Sequence, residues 1–288
     1  MTHVALMGLG SMGSGIASRI LAAGFPLTVW NRTRGKAEAL LAGGARWADS
    51  PAMAAADADI VISVVVNESA SRAVWAGETG ALAAMKPGGL LIECSTLTVA
   101  WVQELHELAR ARQVGFADAP MTGNQQLAQS GALTLFVGAD EAVLERARPV
   151  LNAFARTILH FGPPATATTY KLINNMMAAV HLAALGEGIA MAERAGLNMD
   201  AVAQAVSTGN TSSTVVKNNV AAIIARTFDD VRFPLRAMHK DLTYALQAGA
   251  TFGAVLPTVA VVRELFALAM LNGLSDADYA AVSDVVRG

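Results

Sequence analysis

The chain has 288 residues, more than one average domain and enough for two, and 53% of them are hydrophobic while 15% are charged. The formal net charge is −2 and Lys and Arg form no run, which argues against nucleic acid as a partner. No uninterrupted apolar run has the length needed to span a bilayer, so we predict no membrane partner and expect the apolar excess in large cores and an oligomer interface.

The first predicted element is an apolar strand, residues 3–8, that leads into a G-x-G-x-x-G motif. The motif consists of Gly8, Leu9, Gly10, Ser11, Met12 and Gly13. Its first glycine allows a tight turn, the second lets a pyrophosphate approach the backbone, and the third lets helix and strand pack closely. A helix-like stretch from Ser14 to Ala23 follows, stops at Gly24, and directs its N-terminal N–H groups at the phosphates. A second strand, 27–30, closes a β-α-β unit, so the motif predicts dinucleotide binding.

The residues after this second strand select the cofactor. They are Asn31, Arg32, Thr33 and Arg34. An Asp or Glu at this place would bond the ribose 2′-hydroxyl and favour NAD, but no carboxylate is present. Two guanidinium groups and a hydroxyl are available to bind a 2′-phosphate instead. We therefore predict NADP as the cofactor, with NAD less favoured.

Five further β-rich runs alternate with helix-like segments as far as residue 162. They lie at 59–66, 89–94, 114–118, 133–137 and 156–161. Such alternation predicts an open α/β sheet with helices on both faces, whose ligands lie outside the carboxyl ends of the strands. Cofactor-binding candidates at these ends are Val65, Val66, Asn67 and Thr96.

The segment Asp118–Asn124 follows another of these strands and is the candidate substrate site. Thr122 offers a hydroxyl, and Gly123 permits close approach of a ligand to the backbone. Backbone N–H groups from Thr122 through Asn124 are suited to hold a carboxylate. A small carboxylate or aldehyde substrate is therefore expected here.

The best domain boundary is the Phe-Gly-Pro-Pro run at 161–164, which divides the chain into a Rossmann-type domain, 1–162, and a second domain, 163–288. A long helix is predicted from about residue 165 to residue 195, with weak points at Gly186 and Gly188. The rest is predicted to be all-helical. Breaks are expected near 208–210, 233–234, Gly249, Pro257 and Gly273.

Lys171 and Asn175 are four residues apart in the long helix, so they share one face, and their neighbours are apolar. Apolar surroundings lower the pKa of a lysine, which makes it usable as an acid or base near neutral pH. An asparagine one turn further along is placed to bond the same substrate oxygen or to hold the ammonium group. A charged pair far along the chain, Lys240 and Asp241, is unremarkable by itself.

The single cysteine, Cys94, cannot form an intrachain disulfide, and the chain starts directly with a strand, which leaves no room for a signal peptide. Both features lead us to expect a cytoplasmic protein. The five histidines show no metal-ligand spacing, so no metal site is predicted.

Taken together, these segments resemble the β-hydroxyacid dehydrogenase family, which contains 3-hydroxyisobutyrate dehydrogenase, tartronate semialdehyde reductase and the glyoxylate/succinic semialdehyde reductases. The resemblance covers essentially the whole chain through four ordered motifs. They are the glycine motif at 8–13, the segment 118–123 continued by 131–134 and 137–138, the segment 171–175, and 240–242. The resemblance implies a Rossmann-type N-terminal domain, a long interdomain helix and an all-helical C-terminal domain, assembled into homodimers or homotetramers.

The resemblance also implies a role for each site residue. Lys171 is the general acid/base, and Asn175 helps to place the reacting group. Thr122 and Gly123 bind the substrate carboxylate, with Asn124 beside them. Thr96 and Lys240 contact the cofactor near its nicotinamide end.

Three places depart from the family pattern. Many members have Ser-Gly-Gly at 122–124, where this chain has Thr-Gly-Asn, and the added Asn124 side chain is expected to reshape the acid pocket. A Gly-x-Gly usually precedes the catalytic lysine, but those places are Ala165 and Ala167 here, and Tyr170 is unexpected. Two other functions stay open. One is imine reduction, since residues 29–33 look like those of imine reductases, although Lys171 favours a carbonyl substrate; the other is a non-catalytic dinucleotide sensor.

Overall fold

The structure is a computed structural model, and it describes residues 1–287. The chain folds into two compact units, Met1–Lys171 and a second one that starts at Leu172. The division falls inside a long helix, on the C-terminal side of the predicted boundary at 162/163.

The first unit is built on one mixed sheet whose strands all come from residues 4–162. The strands are β1 (Val4–Met7), β2 (Leu27–Trp30), β3 (Arg46–Trp47), β4 (Ile60–Ser63), β5 (Leu90–Glu93), β6 (Gly115–Asp118), β7 (Met121–Thr122), β8 (Leu133–Gly138) and β9 (Ala155–Gly162). Their order is β3-β2-β1-β4-β5-β6-β8-β7, with β9 paired to β8. Strands β1 to β6 are parallel, β8 is antiparallel to β6 and β7, and β9 is parallel to β8.

The register of the parallel strands aligns their carboxyl ends. Met7 pairs with both Trp30 and Ser63, Ser63 pairs with Glu93, and Glu93 pairs with Asp118. These five residues therefore form one row across the sheet, and the loops that follow them leave the same edge side by side.

Helices of the first unit connect these strands. They are α1 (Ser11–Ala22), α2 (Glu38–Ala42), α3 (Pro51–Ala55), α4 (Glu68–Ala76), α5 (Ala81–Ala84), α6 (Val99–Ala111), α7 (Gln125–Ser130) and α8 (Glu141–Leu151), with a 3-10 turn at Arg34–Ala37. Strands β1, β4 and β5 are buried along their whole length, as expected for parallel strands covered on both faces. This unit has the predicted α/β Rossmann-type fold, and all seven predicted strands are present.

The second unit is helical. Its elements are the larger part of α9 (Thr166–Arg194), then α10 (Met199–Thr208), α11 (Thr214–Ala225), α12 (Leu235–Phe252), α13 (Pro257–Leu271) and α14 (Val282–Arg287), with a 3-10 turn at Tyr279–Ala281. Its core is formed by apolar faces of these helices, with Leu182, Ile223, Leu235 and Phe266 fully buried. The predicted long helix and all-helical C-terminal region are thus present.

Three local predictions are wrong. Strands β3 and β7 were missed, because two residues are too few to show an alternating pattern. Helix α1 starts at Ser11 rather than Ser14. The predicted break at Gly249 is absent, since α12 continues to Phe252 and ends at Gly253, which has φ +68°.

The glycines inside helices have packing roles. A Cβ at Gly249 would lie 2.6 Å from Cδ1 of Leu256, so glycine permits the turn after α12 to fold back closely. Gly186 likewise allows close approach, because a Cβ there would lie 2.8 Å from Cα of Ser283. Helix α9 runs through Gly186 and Gly188 without interruption.

Helix α9 bears on the prediction that the chain has no apolar run long enough to span a membrane. By length and composition it is apolar enough to cross a membrane, although half of its most apolar window is buried inside the structure. A buried core helix passes the same test, so a single helix of this kind is only a weak indication of a membrane span.

Candidate functional site

The glycine motif forms the turn between β1 and α1. Gly8 has φ +100°, and a Cβ there would lie 2.1 Å from the carbonyl oxygen of Val64. A Cβ on Gly13 would lie 1.9 Å from the carbonyl oxygen of Gly8, whereas one on Gly10 would meet nothing within 4 Å. The first and third glycines are therefore required by the protein itself, and the second leaves the backbone open to a ligand. Gly10 also caps α1 without a side chain, so the helix N-terminus is suited to a phosphate.

Asn31 fixes this turn to the end of β2. Its Oδ1 accepts a hydrogen bond from the backbone N–H of Leu9 at 2.9 Å, and its Nδ2 donates to the carbonyl oxygen of Thr33 at 2.9 Å. Asn31 therefore shapes the glycine turn. Arg32, Thr33 and Arg34 are all exposed beside it.

Arg34 is held by an aromatic ring. Its guanidinium carbon lies 5.5 Å from the ring centroid of Trp47, on the unpredicted strand β3. The cationic side chains of Arg32 and Arg34 thus lie at the end of β2, where the ribose of a dinucleotide is bound in this class of sheet. The open Gly10 and the α1 N-terminus fit a dinucleotide.

The loops after β4 and β5 contain the next cofactor candidates. The backbone N–H of Val65 donates to Oγ of Ser95 at 2.8 Å, which links the two loops directly. Asn67 caps α4, because its Oδ1 accepts from the N–H of Ala70 at 2.9 Å. Val66 is 66% exposed. Thr96 is half-buried in the second loop.

The predicted substrate segment is a tight turn between β7 and α7. Thr122 ends β7, paired with Thr134, and is half-buried. Gly123 has φ +138°, and a Cβ there would lie 2.7 Å from Cδ2 of Leu133, so glycine is required by the backbone and by packing. Oδ1 of Asn124 caps α7 by accepting from the N–H of Leu127 at 3.0 Å. The extra side chain at this place therefore serves the helix start.

Asp118, at the end of β6, is the first residue of the predicted substrate segment. Its side chain is fully buried, and its two oxygens accept from the backbone N–H groups of Ala165 and Thr168, each at 2.7 Å. Burial raises the pKa of this carboxyl to about 6, although the two hydrogen bonds oppose the shift. Asp118 thus anchors the start of α9 to the sheet, three residues before Lys171.

Lys171 and Asn175 are nearly buried on α9, with 9% and 5% of their surface exposed. In the second unit, Nδ2 of Asn175 donates to Oδ2 of Asp241 at 2.6 Å, and Oδ1 of Asn175 accepts from Asn174 at 3.0 Å. Asp241 is 1% exposed and forms an ion pair with Nζ of Lys240 at 3.0 Å. Asp241 therefore fixes the orientation of the Asn175 amide and joins it to Lys240, a role that the sequence reading missed.

Within residues 1–287, no three His, Cys, Asp or Glu side chains gather as a metal site would require. The single thiol, Cys94, is buried beside Glu93, and burial raises its pKa well above the usual value.

Two family models match consecutive parts of the chain. The model described as "NAD binding domain of 6-phosphogluconate dehydrogenase" matches residues 3–162. The model described as "NAD-binding of NADP-dependent 3-hydroxyisobutyrate dehydrogenase" matches residues 165–286.

Individual proteins match over the whole length. An NAD-dependent L-serine dehydrogenase of Pseudomonas aeruginosa is 31% identical, over 98% of this chain and 97% of that protein. A probable 3-hydroxyisobutyrate dehydrogenase-like protein 3 of Arabidopsis thaliana is 32% identical, over 99% of this chain and 87% of that protein. Among solved structures, the 3-hydroxyisobutyrate dehydrogenase of Mycobacterium tuberculosis with L-serine has a TM-score of 0.92 and 30% identity, and it covers 100% of both chains.

Proposed function

The chain belongs to the β-hydroxyacid dehydrogenase family as an NAD(P)-dependent hydroxyacid dehydrogenase, and from this premise we propose its cofactor, substrate class and acid/base residue. The proposed reaction transfers hydride between NADP and a short β-hydroxy acid or its semialdehyde or keto acid. The observation that carries the proposal is the nearly buried Lys171, one turn before an asparagine whose amide is oriented by Asp241.

The dinucleotide supplies the hydride chemistry, and the residues of the chain supply binding and proton transfer. Lys171 donates a proton to the carbonyl oxygen during reduction and removes the hydroxyl proton during oxidation. Asn175 orients the reacting group, since Asp241 holds one side of its amide. Thr122 and Gly123 bind the substrate carboxylate.

The cofactor is proposed to lie along the carboxyl edge of the sheet. The glycine turn binds the pyrophosphate. Arg32 and Arg34, with Thr33, bind the 2′-phosphate, and this contact is the basis for preferring NADP. Val65, Val66 and Asn67 are proposed as further cofactor contacts, and the family resemblance implies that Thr96 and Lys240 contact the cofactor near its nicotinamide end. The name of the Pseudomonas relative specifies NAD for that protein, so the preference of this chain has to be measured.

The proposal is tested by substrate turnover and one substitution. Oxidation of NADPH is followed with glyoxylate and succinic semialdehyde, and reduction of NADP with L-serine and 3-hydroxyisobutyrate. Lys171→Met should lower kcat about 100- to 10,000-fold, the usual contribution of a general acid/base, and leave NADPH binding intact. Full turnover by a variant that still binds NADPH would refute the assignment of Lys171.

Imine reduction is the second candidate, and the resemblance of residues 29–33 to imine reductases favours it. The matched substrate is a cyclic imine such as 1-pyrroline, assayed beside the carbonyl compounds at equal concentration. Faster NADPH oxidation with the imine would replace the proposed reaction. Binding of NADPH without turnover of any substrate would instead favour a dinucleotide sensor.

The protein is proposed to act as a homodimer or homotetramer in the cytoplasm. The second unit carries a groove of about 430 Å³ between α9 and α13, lined by apolar side chains such as Val180, Val261 and Leu265. Six of the ten residues of helix α10 are apolar and none of the ten is fully buried, which also suits contact with another copy. Light scattering coupled to size-exclusion chromatography measures the assembly.

A further inference from the structure

A buried carboxylate, Glu93, lies at the carboxyl end of β5, directly before the loop that contains Thr96. Its side chain is fully buried, and the other three residues of β5 are apolar. Burial raises the pKa of Glu93, so the sheet would be easier to form with an apolar residue at this place. Because packing of the sheet does not require a charged residue here, we looked for the role of Glu93 in its hydrogen bonds.

Three donors surround this carboxylate. Oε2 of Glu93 accepts from Oγ of Ser71 at 2.7 Å and from Nε1 of Trp75 at 2.8 Å, and Oε1 accepts from the backbone N–H of Ser95 at 2.8 Å. Ser71 and Trp75 lie one turn apart on α4, the helix that begins after Asn67. Glu93 thus connects the element after β4 with the loop after β5.

The connections continue to the loop backbone. Oγ of Ser95 accepts from the N–H of Val65 at 2.8 Å, and Oγ of Ser71 accepts from Nε1 of Trp101 on α6 at 2.8 Å. A continuous chain of hydrogen bonds therefore runs from α6 through Ser71, Glu93 and Ser95 to Val65. Every side chain in this chain is at least 96% buried.

The pattern of donors requires an acceptor with two oxygens. All three groups around Glu93 donate, so a carboxylate satisfies them and a carboxamide does not. In a glutamine of the same shape, the NH₂ group would face at least one N–H or O–H donor. The chemical identity of this residue is therefore set by the two loops and by α4.

The strand order of the sheet indicates which part of the cofactor the loops after β4 and β5 would contact. Strand β1, with the glycine turn, lies between β2 on one side and β4 and β5 on the other. The arginines at the end of β2 lie on the ribose-phosphate side, so the loops after β4 and β5 lie on the opposite side, toward the nicotinamide.

We propose that Glu93 is a positioning residue that holds the loops after β4 and β5 in the shape that binds the nicotinamide half of the cofactor. It acts through Ser95 on Val65 and through Ser71 on the start of α4. The inference rests on the proposed binding of the cofactor by these two loops.

The test is the dissociation constant of NADPH and of NADH for the substrate-free full-length protein, measured by calorimetry. Glu93→Gln should raise both constants by the same factor, about 10- to 100-fold, because one hydrogen bond to a charged group is lost and a donor is left facing a donor. A merely structural residue would lower the unfolding temperature without this equal effect on both cofactors.

Two further variants complete the test. Ser95→Ala removes the acceptor of the Val65 N–H and should raise both constants as well, and the double variant should fall short of the product of the single effects. Glu104→Gln is the matched control, because Glu104 forms an exposed pair with Arg72 between α4 and α6 and touches neither loop. It should leave both constants unchanged.

Three outcomes would overturn the inference. The first is a folded Glu93→Gln protein whose dissociation constants for NADPH and NADH equal those of the wild type. The second is an equal rise of these constants in Glu104→Gln. The third is a double variant whose effect on the constants equals the product of the two single effects. If Glu93→Gln does not fold, the inference is overturned when the Ser95→Ala variant binds NADPH and NADH with the dissociation constants of the wild type. The proposed chemistry fails separately, through the turnover of Lys171→Met, which does not enter these binding constants.

Discussion

The buried Asp118 allows a sharp prediction about stability and pH. Its folded-state pKa is raised to about 6 by burial, against 3.8 for the ordinary group. Because the folded value is the higher one, the native state binds the proton more tightly than the unfolded chain does. The stability contributed by Asp118 is therefore fully present below pH 3.8 and is lost as the pH rises through 6.

The size of the effect follows from the two pKa values. A shift of about two units corresponds to about 3 kcal/mol in total, of which about 2 kcal/mol is lost between pH 4 and pH 7. Asp118→Asn removes the titrating group but keeps one acceptor for the N–H groups of Ala165 and Thr168. The free energy of unfolding of the variant should thus not decrease in this way as the pH rises. The free energy of unfolding of the wild type, relative to that of the variant, should decrease by about 2 kcal/mol from pH 4 to pH 7.

The assay is urea unfolding at pH 4, 5, 6 and 7 and constant ionic strength, followed by tryptophan fluorescence. Other groups titrate alike in both proteins, so the difference isolates Asp118. The reasoning would be refuted if the difference in free energy of unfolding between the wild type and Asp118→Asn stayed constant within about 0.5 kcal/mol over this pH range.

Three other predictions use different parts of the molecule. Arg32→Ala should raise the KM for NADPH about 10-fold or more and leave that for NADH unchanged, since a charge-assisted bond is worth about 1.5–3 kcal/mol; equal effects in initial-rate assays would contradict the NADP preference. Gly186→Ala should destabilise the protein by about 1–3 kcal/mol, because its Cβ would overlap with the backbone of Ser283. Gly188→Ala should stabilise the protein by about 0.5–1 kcal/mol, because a Cβ there meets nothing within 4 Å. Unfolding temperatures that shift in the same direction in both variants would disprove the packing argument. Cys94, buried and with a raised pKa, should react with a thiol reagent only after urea unfolds the first unit; rapid labelling of the native protein at pH 8 would show that its burial is wrong.

The sequence was most informative where a function depends on neighbouring residues. The glycine turn, the cations after β2 and the long helix are local patterns, and the structure forms each of these elements at the expected place. Three of the buried carboxylates, Glu93, Asp118 and Asp241, received no site role. Most of their hydrogen-bond donors lie far away in the chain. Glu93 accepts from residues 18 and 22 positions earlier, Asp118 from residues 47 and 50 positions later, and Asp241 from one 66 positions earlier. Periodicity and motif spacing carry no information about such pairings.

Gly249 illustrates the opposite error. A glycine inside a helical pattern was interpreted as a break, because glycine lowers helix propensity by about 1 kcal/mol. In the structure, its missing side chain makes room for Leu256. Tertiary packing outweighs propensity here, and only the folded chain shows which of the two meanings a helical glycine has.

The start of α9 explains how this chain departs from the family pattern without losing the helix. Ala165 takes the place of a glycine and has φ +74°, a conformation that costs an alanine about 1–2 kcal/mol. Asp118 accepts hydrogen bonds from the backbone N–H groups of Ala165 and Thr168, each at 2.7 Å, which hold the first turn of the helix. Tyr170, the other unexpected residue, stacks on Phe161 with a centroid distance of 4.2 Å, a contact worth about 0.5–1.5 kcal/mol.

These contacts hold the backbone at Ala165 in this conformation, so α9 starts at the same place in spite of the added methyl group. Because Lys171 follows Thr168 by less than one turn, the same anchor fixes the position of the proposed acid/base relative to β6 and the substrate segment. The alanine is tolerated because a buried carboxylate and an aromatic stack impose the backbone conformation that glycine would otherwise adopt freely.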